Sequence, residues 1–328
     1  MSDPLLSVVM PTLNDSPYIE RAIRSVQQQT YDNVELIIID DGSTDGSFER
    51  ITEVADERTK LIQRTDESGV TSARNEGIAR ANGKYIAVHD GDDWSSRDRF
   101  INQVRYLESN PSVALVGTGA YLVDQTGDIL SRRRVLESPS LSELIEHNEF
   151  VHGSVMIRRK ALEELGGYDE WFAVAEDYDL WLRLADKYEV RNIDEPLYYF
   201  RQHDDSLYGS NLEELKLYHL LAVRKVQSGL GDELKGQIDE QGIGTLYDQL
   251  TTSERRWFHE ELAKENLRYG NLREGRRHAS ELRSIDRTHP LAYALFLLSY
   301  TTPDFTKFAA RTYRRLLNIK LGFNNWRS

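Results

Sequence analysis

The chain has no cysteine in its 328 residues, which excludes disulfides, zinc-thiolate sites and thiol nucleophiles together. It also lacks any apolar run near the roughly 18 to 20 residues that a membrane-spanning helix needs. Hydrophobic residues make up 39% and the mean hydropathy is -0.57, so an integral membrane protein is not expected. The N-terminus, Met-Ser-Asp-Pro, enters an apolar strand pattern with neither a basic n-region nor a long apolar h-region. No secretory signal is expected, and the expected location is cytoplasmic. The N-terminal half has no Lys/Arg-rich run, and the formal net charge is -13, a balance that repels nucleic acid. Neither G-x-x-x-x-G-K-[ST] nor G-x-G-x-x-G occurs. Phosphate, if the chain binds it, must be neutralised by something other than those loops.

What the sequence does have is carboxylates at the ends of buried strands. Asp40-Asp41 follows Glu-Leu-Ile-Ile-Ile, and Asp90-Gly91-Asp92-Asp93 follows Lys-Tyr-Ile-Ala-Val with one histidine between. In an open α/β sheet ligands gather outside the carboxyl ends of the strands, so both clusters are expected at one crevice. Packed carboxylates repel, and burial raises their pKa values unless a cation or hydrogen-bond donors compensate. The expected occupants are a divalent metal and a polyhydroxylated or phosphorylated ligand.

Apolar runs at 6–10, 36–39, 60–63, 85–88 and 113–116 alternate with helical patterns, as βαβ units do. Ser16 is placed to cap the first helix, Pro17 suits its first turn, and Ile19, Ala22, Ile23 and Val26 form its apolar stripe. Phe100, Val104 and Leu107 mark a second helix, and Leu180, Trp181 and Leu184 a third that starts at Glu176. Periodicity weakens between Asp124 and Glu149. Beyond about residue 210 one helical pattern follows another, which predicts two domains, 1–210 and 211–328. The stretch from Tyr269 to Ala279 has the spacing of a single tetratricopeptide-like helix pair.

Several segments together resemble a family-two inverting glycosyltransferase of GT-A fold over residues 5–207. They are Ser7-Val-Val-Met-Pro-Thr-Leu-Asn14, Ile37-Ile-Ile-Asp-Asp-Gly-Ser-Thr-Asp45, Gly69-Val-Thr-Ser-Ala-Arg-Asn-Glu-Gly77, Asp90-Gly-Asp-Asp93, Glu176-Asp177 and Arg201-Gln-His203, in the usual order. The fold class expected is therefore α/β of GT-A type: a Rossmann-like, mostly parallel sheet flanked by helices, with a helical C-terminal region. The activity implied is transfer of a sugar from a nucleoside-diphosphate sugar to an acceptor hydroxyl with inversion, in synthesis of a cell-surface or lipid-linked glycan.

The residues carry roles consistent with that resemblance. Pro11 and Thr12 end the first strand, where backbone groups and a small hydroxyl can meet a base. Asp41 can accept from a ring N–H such as the uracil imide, and the resemblance assigns it that role. The helix opened by Gly69, with Arg74, can meet phosphate or the donor sugar through its N-terminal N–H groups. Asp90-Gly-Asp92 matches the D-x-D pattern, which implies Mn²⁺ or Mg²⁺ held by Asp92, with Asp90 nearer the ribose. His203 matches a C-terminal histidine that completes the metal site in this fold, and an imidazole ligand tilts the choice toward Mn²⁺. Asp177, beside Glu176, aligns with the general base. His152 is a candidate for the acceptor side.

Two rival readings stand against this one. A nucleotidyltransferase would need a Gly-rich, basic signature near the N-terminus, and Met10 to Ser16 has none. A non-catalytic sugar-nucleotide or glycan-binding module would have no use for the D-x-D and Glu-Asp pair. The last 28 residues hold six Lys/Arg against one Asp, with Phe305, Phe308, Tyr313 and Leu316 at helical spacing. That pattern fits either an interfacial helix on anionic lipid or a face packed on the acidic catalytic domain. The first option would place the protein at the inner face of the cell membrane, with a lipid-linked acceptor.

Overall fold

The structure is a computed structural model that describes residues 3–65, 68–202 and 211–302. The chain divides into two compact units, Met1–Leu207 and Tyr208–Ser328. The first runs β1 (Leu6–Thr12), α1 (Ile19–Gln27), β2 (Val34–Asp40), α2 (Ser47–Val54), β3 (Thr59–Gln63), α3 (Val70–Ala79), β4 (Tyr85–Val88), β5 (Trp94–Ser95) and α4 (Arg99–Ser109). It continues with β6 (Val113–Val123), β7 (Ile129–Arg133), α5 (Leu141–Glu146), a 3-10 turn at His152–Ser154, β8 (Met156–Arg158), α6 (Arg159–Leu165), α7 (Glu176–Lys187) and β9 (Glu189–Arg201).

These strands form one 9-stranded sheet in the order β3-β2-β1-β4-β8-β6-β9-β5, with β7 paired to β6. The βαβ half, β3-β2-β1-β4, is parallel throughout. Beyond β4 the sheet is mixed: β8 is antiparallel to β4 and β6, whereas β6 and β9 are parallel. Alternating βα patterns announce the parallel half, but pairings between distant strands leave no local trace, so the sheet is less uniformly parallel than the sequence suggests.

Strand ends at the crevice follow from the βαβ order. All seven residues of β1 and of β2 are buried, as expected for strands covered on both faces. The α1 stripe, Ile19, Ala22, Ile23 and Val26, is buried as its spacing predicts, each larger side chain contributing about 1.5–3 kcal/mol. Ser16 does not cap this helix. Tyr18 occupies the cap position, the Asp15 carbonyl accepts from the N–H groups of Tyr18 and Ile19, and Ser16 Oγ instead accepts from Arg50 Nε at 2.9 Å.

The weakly periodic stretch 124–149 contains β7 and α5, the latter closed by a capping box between Ser140 and Glu143. Only Leu144 of α5 is buried, which is why no apolar stripe betrays it. Residues 152–154 form a 3-10 turn, and β8 begins at Met156.

The second unit comprises α8 (Leu212–Ser228), α9 (Asp232–Gln241), α10 (Thr245–Asp248), α11 (Thr252–Tyr269), α12 (Leu272–Ile285) and α13 (Pro290–Leu298). The helices α9 and α10 are parted at Gly242, whose φ of +85° is one an L-residue rarely adopts. Ala263, Leu267, Ala279, Leu282, Ala292 and Leu295 form the core of the last three helices. Among the described residues no helix is long and apolar enough to cross a membrane.

Candidate active site

The turn after β4 carries the acidic cluster, and three elements hold it. The buried Arg99 guanidinium, on α4, donates to the carbonyls of Val88 at 2.9 Å and Val155 at 3.2 Å and to Ser95 Oγ at 3.0 Å, bracketing the turn on both sides. Arg201, at the end of β9, donates from Nε to the Asp92 carbonyl at 2.8 Å, while its backbone N–H donates to Asp93 Oδ1 at 2.7 Å. Tyr198 OH accepts from the Asp90 N–H at 3.2 Å. A side chain at Gly153 would come within 2.0 Å of that hydroxyl and 2.9 Å of Asp90 Oδ2, so the 3-10 turn packs directly on the site.

Arg74 links the acidic turn to the start of α7. Its Nη1 donates to Glu176 Oε1 at 2.6 Å and its Nη2 to Asp90 Oδ1 at 3.1 Å, joining α3, the β4 turn and the start of α7. All three side chains are largely buried. Burial pushes the Asp90 pKa up, but the Arg74 charge and then His152 overcome it and hold the carboxyl below its ordinary range. Exchanging Arg74 for methionine should cost about 3–5 kcal/mol of stability, because two buried carboxylates lose their counter-charge. Chemical denaturation measures it; a loss under about 1 kcal/mol would show that water replaces the guanidinium readily.

Asp177 lies beside this pair and behaves differently. Its Oδ1 accepts from the Tyr178 N–H at 2.7 Å, yet burial and the neighbouring Glu176 charge push its pKa up to about 7. The residue before the pair, Ala175, has φ of +61°, a strained left-handed conformation for alanine. The helix α7 starts directly after it, at Glu176. Trp181 and Arg183 on the same helix support it: Trp181 is fully buried among Phe150, His152 and Tyr168, and Arg183 ties Asp179 to the carbonyls of Leu165 and Gly167.

At the ends of β1 and β2 stand the other expected residues. Pro11 and Thr12 pair with Ile39 and Asp40, and Thr12 Oγ1 donates to Asp15 Oδ2 at 2.8 Å. Asp41 accepts from the N–H groups of Ser68 and, at 2.9 Å, Gly69, and pairs with Arg64 at 3.1 Å. Gly69 caps α3 with φ of +91°. Thus the Gly69 N–H is engaged by Asp41 and two of the Arg74 nitrogens by carboxylates, while Arg74 Nε is buried without a partner. His152 is half-buried, its Nε2 is 2.9 Å from Tyr168 OH, and burial followed by the Arg74 charge lowers its pKa to about 3. His203 lies outside the described residues.

Asp15 is a site residue that motif reading missed. Burial and then the Asp92 charge push its pKa up to about 7, and a side chain at Gly91 would approach its Oδ2 to 2.5 Å. Asp93 is likewise raised, by burial and then by Asp92 and Asp90, and its Oδ2 is buried with no hydrogen-bond partner. Four carboxylates, Asp15, Asp90, Asp92 and Asp93, therefore gather at the ends of β1 and β4, with Arg74 paired to Asp90. This donor set fits a hard divalent cation bound through one or two carboxylates plus ligand oxygens and water.

Comparison with known proteins gives the family and the fold. The profile of a family described as "Glycosyl transferase family 2" matches residues 7–166. An uncharacterized glycosyltransferase of Methanocaldococcus jannaschii is 32% identical over 227 residues, 66% of this chain and 78% of that protein. The putative glycosyltransferase EpsE of Bacillus subtilis is 36% identical over 171 residues, 51% of this chain. The chain covers 61% of EpsE and 66% of an uncharacterized glycosyltransferase of Haemophilus influenzae, 34% identical, so each relative is longer than the stretch it shares. Among solved structures, S. aureus TarS 1-349 in complex with UDP-GlcNAc aligns with a TM-score of 0.59 at 16% identity, over 95% of this chain and 92% of that one. Mannosyltransferase PcManGT from Pyrobaculum calidifontis, in complex with GDP-Man and Mn²⁺, aligns at 0.54 and 18% identity, over 95% and 85%. These structural matches show the fold, GT-A, and the family profile with the sequence relatives establishes that the chain belongs to glycosyl transferase family 2.

Proposed function

We propose that this chain is a metal-dependent inverting glycosyltransferase, hexosyltransferase-like, that moves a sugar from a nucleoside-diphosphate sugar to an acceptor hydroxyl in synthesis of a cell-surface or lipid-linked polysaccharide. The observation that carries this reading is the joining, through Arg74, of the acidic turn at Asp90 to Glu176, whose neighbour Asp177 has a pKa pushed up to about 7. Asp92, with His203, would hold Mn²⁺ or Mg²⁺, which when bound supplies Lewis-acid stabilisation of the leaving diphosphate. Asp177 takes the acceptor hydroxyl proton while the acceptor oxygen bonds to C1 and the C1–O bond to the diphosphate breaks, its electron pair leaving with the diphosphate. Glu176, held by Arg74, lies beside Asp177 and raises the basicity of that carboxylate. Pro11, Thr12 and Asp41 frame the base, Gly69 and Arg74 the phosphate or donor sugar, and Asp90 the ribose. The nucleotide sugars and Mn²⁺ in the TarS and PcManGT complexes support the donor class and the ion.

A thermal-shift panel of nucleotide sugars with Mn²⁺ tests the donor. One donor should raise Tm by mass action in Mn²⁺ and much less in chelator. A uniform response across the panel, or none, would count against a dedicated donor site.

The basic, aromatic C-terminal segment beyond residue 302 lies outside the described residues, and its sequence supports peripheral contact with an anionic inner membrane face. Flotation with anionic vesicles should recover the full chain and lose one ending near Pro303. Equal flotation of both, or of neither, would remove the argument for a lipid-linked acceptor.

A further inference from the structure

A cleft of about 850 Å³ lies between α1 and the β5 strand, lined by Arg21, Arg24, Arg97, Glu20, Gln28 and Trp94 among others. Chain continuity sets it beside the acidic turn: Trp94 follows Asp92-Asp93, and α1 follows the Asp15 turn. Its charge is opposite to that of the chain as a whole. Three of these residues are arginines and one is an acid, in a protein of net charge -13.

The nearby carboxylates do not neutralise that charge. Glu20 pairs with Arg24 at 2.8 Å, and Asp98 accepts from Thr30 Oγ1 at 2.9 Å. Among the described residues neither Arg21 nor Arg97 has an acidic partner. Arg21 is nevertheless held in place: its guanidinium lies 3.3 Å from the centroid of the Trp94 ring, and a side chain at Gly127 would come within 2.6 Å of its Nη1. Trp94 is itself stacked on Tyr199 at 4.8 Å and 11°, with Tyr121 next at 5.3 Å. Burial and then the Arg201 charge both disfavour the Arg21 cation, and an anion in the cleft would offset them. A guanidinium fixed flat on an indole keeps its N–H fork for a planar or tetrahedral anion, at little further cost in side-chain entropy.

We propose that this cleft binds the anionic groups, phosphate or carboxylate, of a polyhydroxylated acceptor chain, which makes the acceptor an acidic glycan or polyol phosphate. The acceptor role rests on the glycosyl-transfer reading; the binding of anions does not. A donor diphosphate belongs to the crevice at the ends of β1, β2 and β4. The α1 cleft is the adjoining surface, with charge suited to a longer anionic chain.

The test uses the full chain and calorimetry in chelator, so that no metal-held phosphate contributes. The probes are a glycerol-phosphate oligomer, a galacturonate oligomer and neutral maltoheptaose, each at low and moderate salt. At least one acidic oligomer should bind with salt-dependent affinity, maltoheptaose should not bind, and the variant carrying Arg21→Gln and Arg97→Gln should lose at least about tenfold. Which acidic oligomer binds tells phosphate from carboxylate. Donor hydrolysis in Mn²⁺ should be unchanged in the variant, since neither arginine is in the catalytic crevice. Equal binding by wild type and variant, equal binding of the neutral oligomer, or no acidic oligomer bound would each overturn the proposal. Wild-type protein that binds an acidic oligomer through these arginines yet hydrolyses no donor would instead overturn the transfer reading, and the acceptor role with it.

Discussion

Replacing Asp177 with asparagine should lower turnover by at least about a hundredfold and leave donor affinity near the wild-type value, as loss of a general base does. The change keeps the side chain's size and its acceptor oxygen for the Tyr178 N–H, so the start of α7 should survive. The pH dependence supplies a second signature. Asp177 acts as a base only when ionised, so wild-type kcat/KM should fall as pH drops through about 7, and this limb should vanish in the variant. Stability moves the other way. The folded pKa lies above the ordinary 3.8, so the folded state holds the proton more tightly, and stability declines as pH rises from about 4 to about 7. Above pH 7 the asparagine variant should therefore unfold at a higher temperature than wild type. A variant less active but no more stable there would mean that the carboxyl is ordinary and that Glu176 or another group is the base.

Asp92→Asn should abolish metal-dependent turnover while circular dichroism and Tm stay close to wild type. The side chain is half-buried, and the main-chain position of residue 92 is held by Arg201 through its carbonyl, a contact the substitution leaves intact. Removing one charge from the crowded turn also relieves Asp15 and Asp93, whose pKa values Asp92 helps to raise. The variant should therefore be at least as stable as wild type without metal and gain less from added Mn²⁺. Full activity of the variant, or wild-type activity retained in chelator, would remove the metal from the account.

What the sequence disclosed and what it withheld divide along contact range. The α1 stripe, the start of α7 at Glu176 and the strands of the parallel half rest on neighbours a few residues apart, and local periodicity reports those. The antiparallel insertion of β8 between β4 and β6 joins distant segments, and no local pattern encodes it. The same holds within the site. Arg74 reads as a cation for phosphate because it follows a glycine-opened helix, yet it meets Glu176 across 102 residues. Asp15 looks like an ordinary turn residue, and only the tight approach of Gly91 makes it part of the acidic turn. Ala175 gives no warning at all, since alanine has no preference for the left-handed conformation it adopts. A glycine there would have been legible.

The most direct measurement of the central claim follows donor hydrolysis by proton NMR, using whichever nucleotide sugar gives the largest thermal shift. In Mn²⁺ the first sugar released should carry the anomeric configuration opposite to that of the donor, and chelator should stop its release. Release with retained configuration, release that chelator does not affect, or donor bound but never turned over would contradict a metal-dependent inverting transferase.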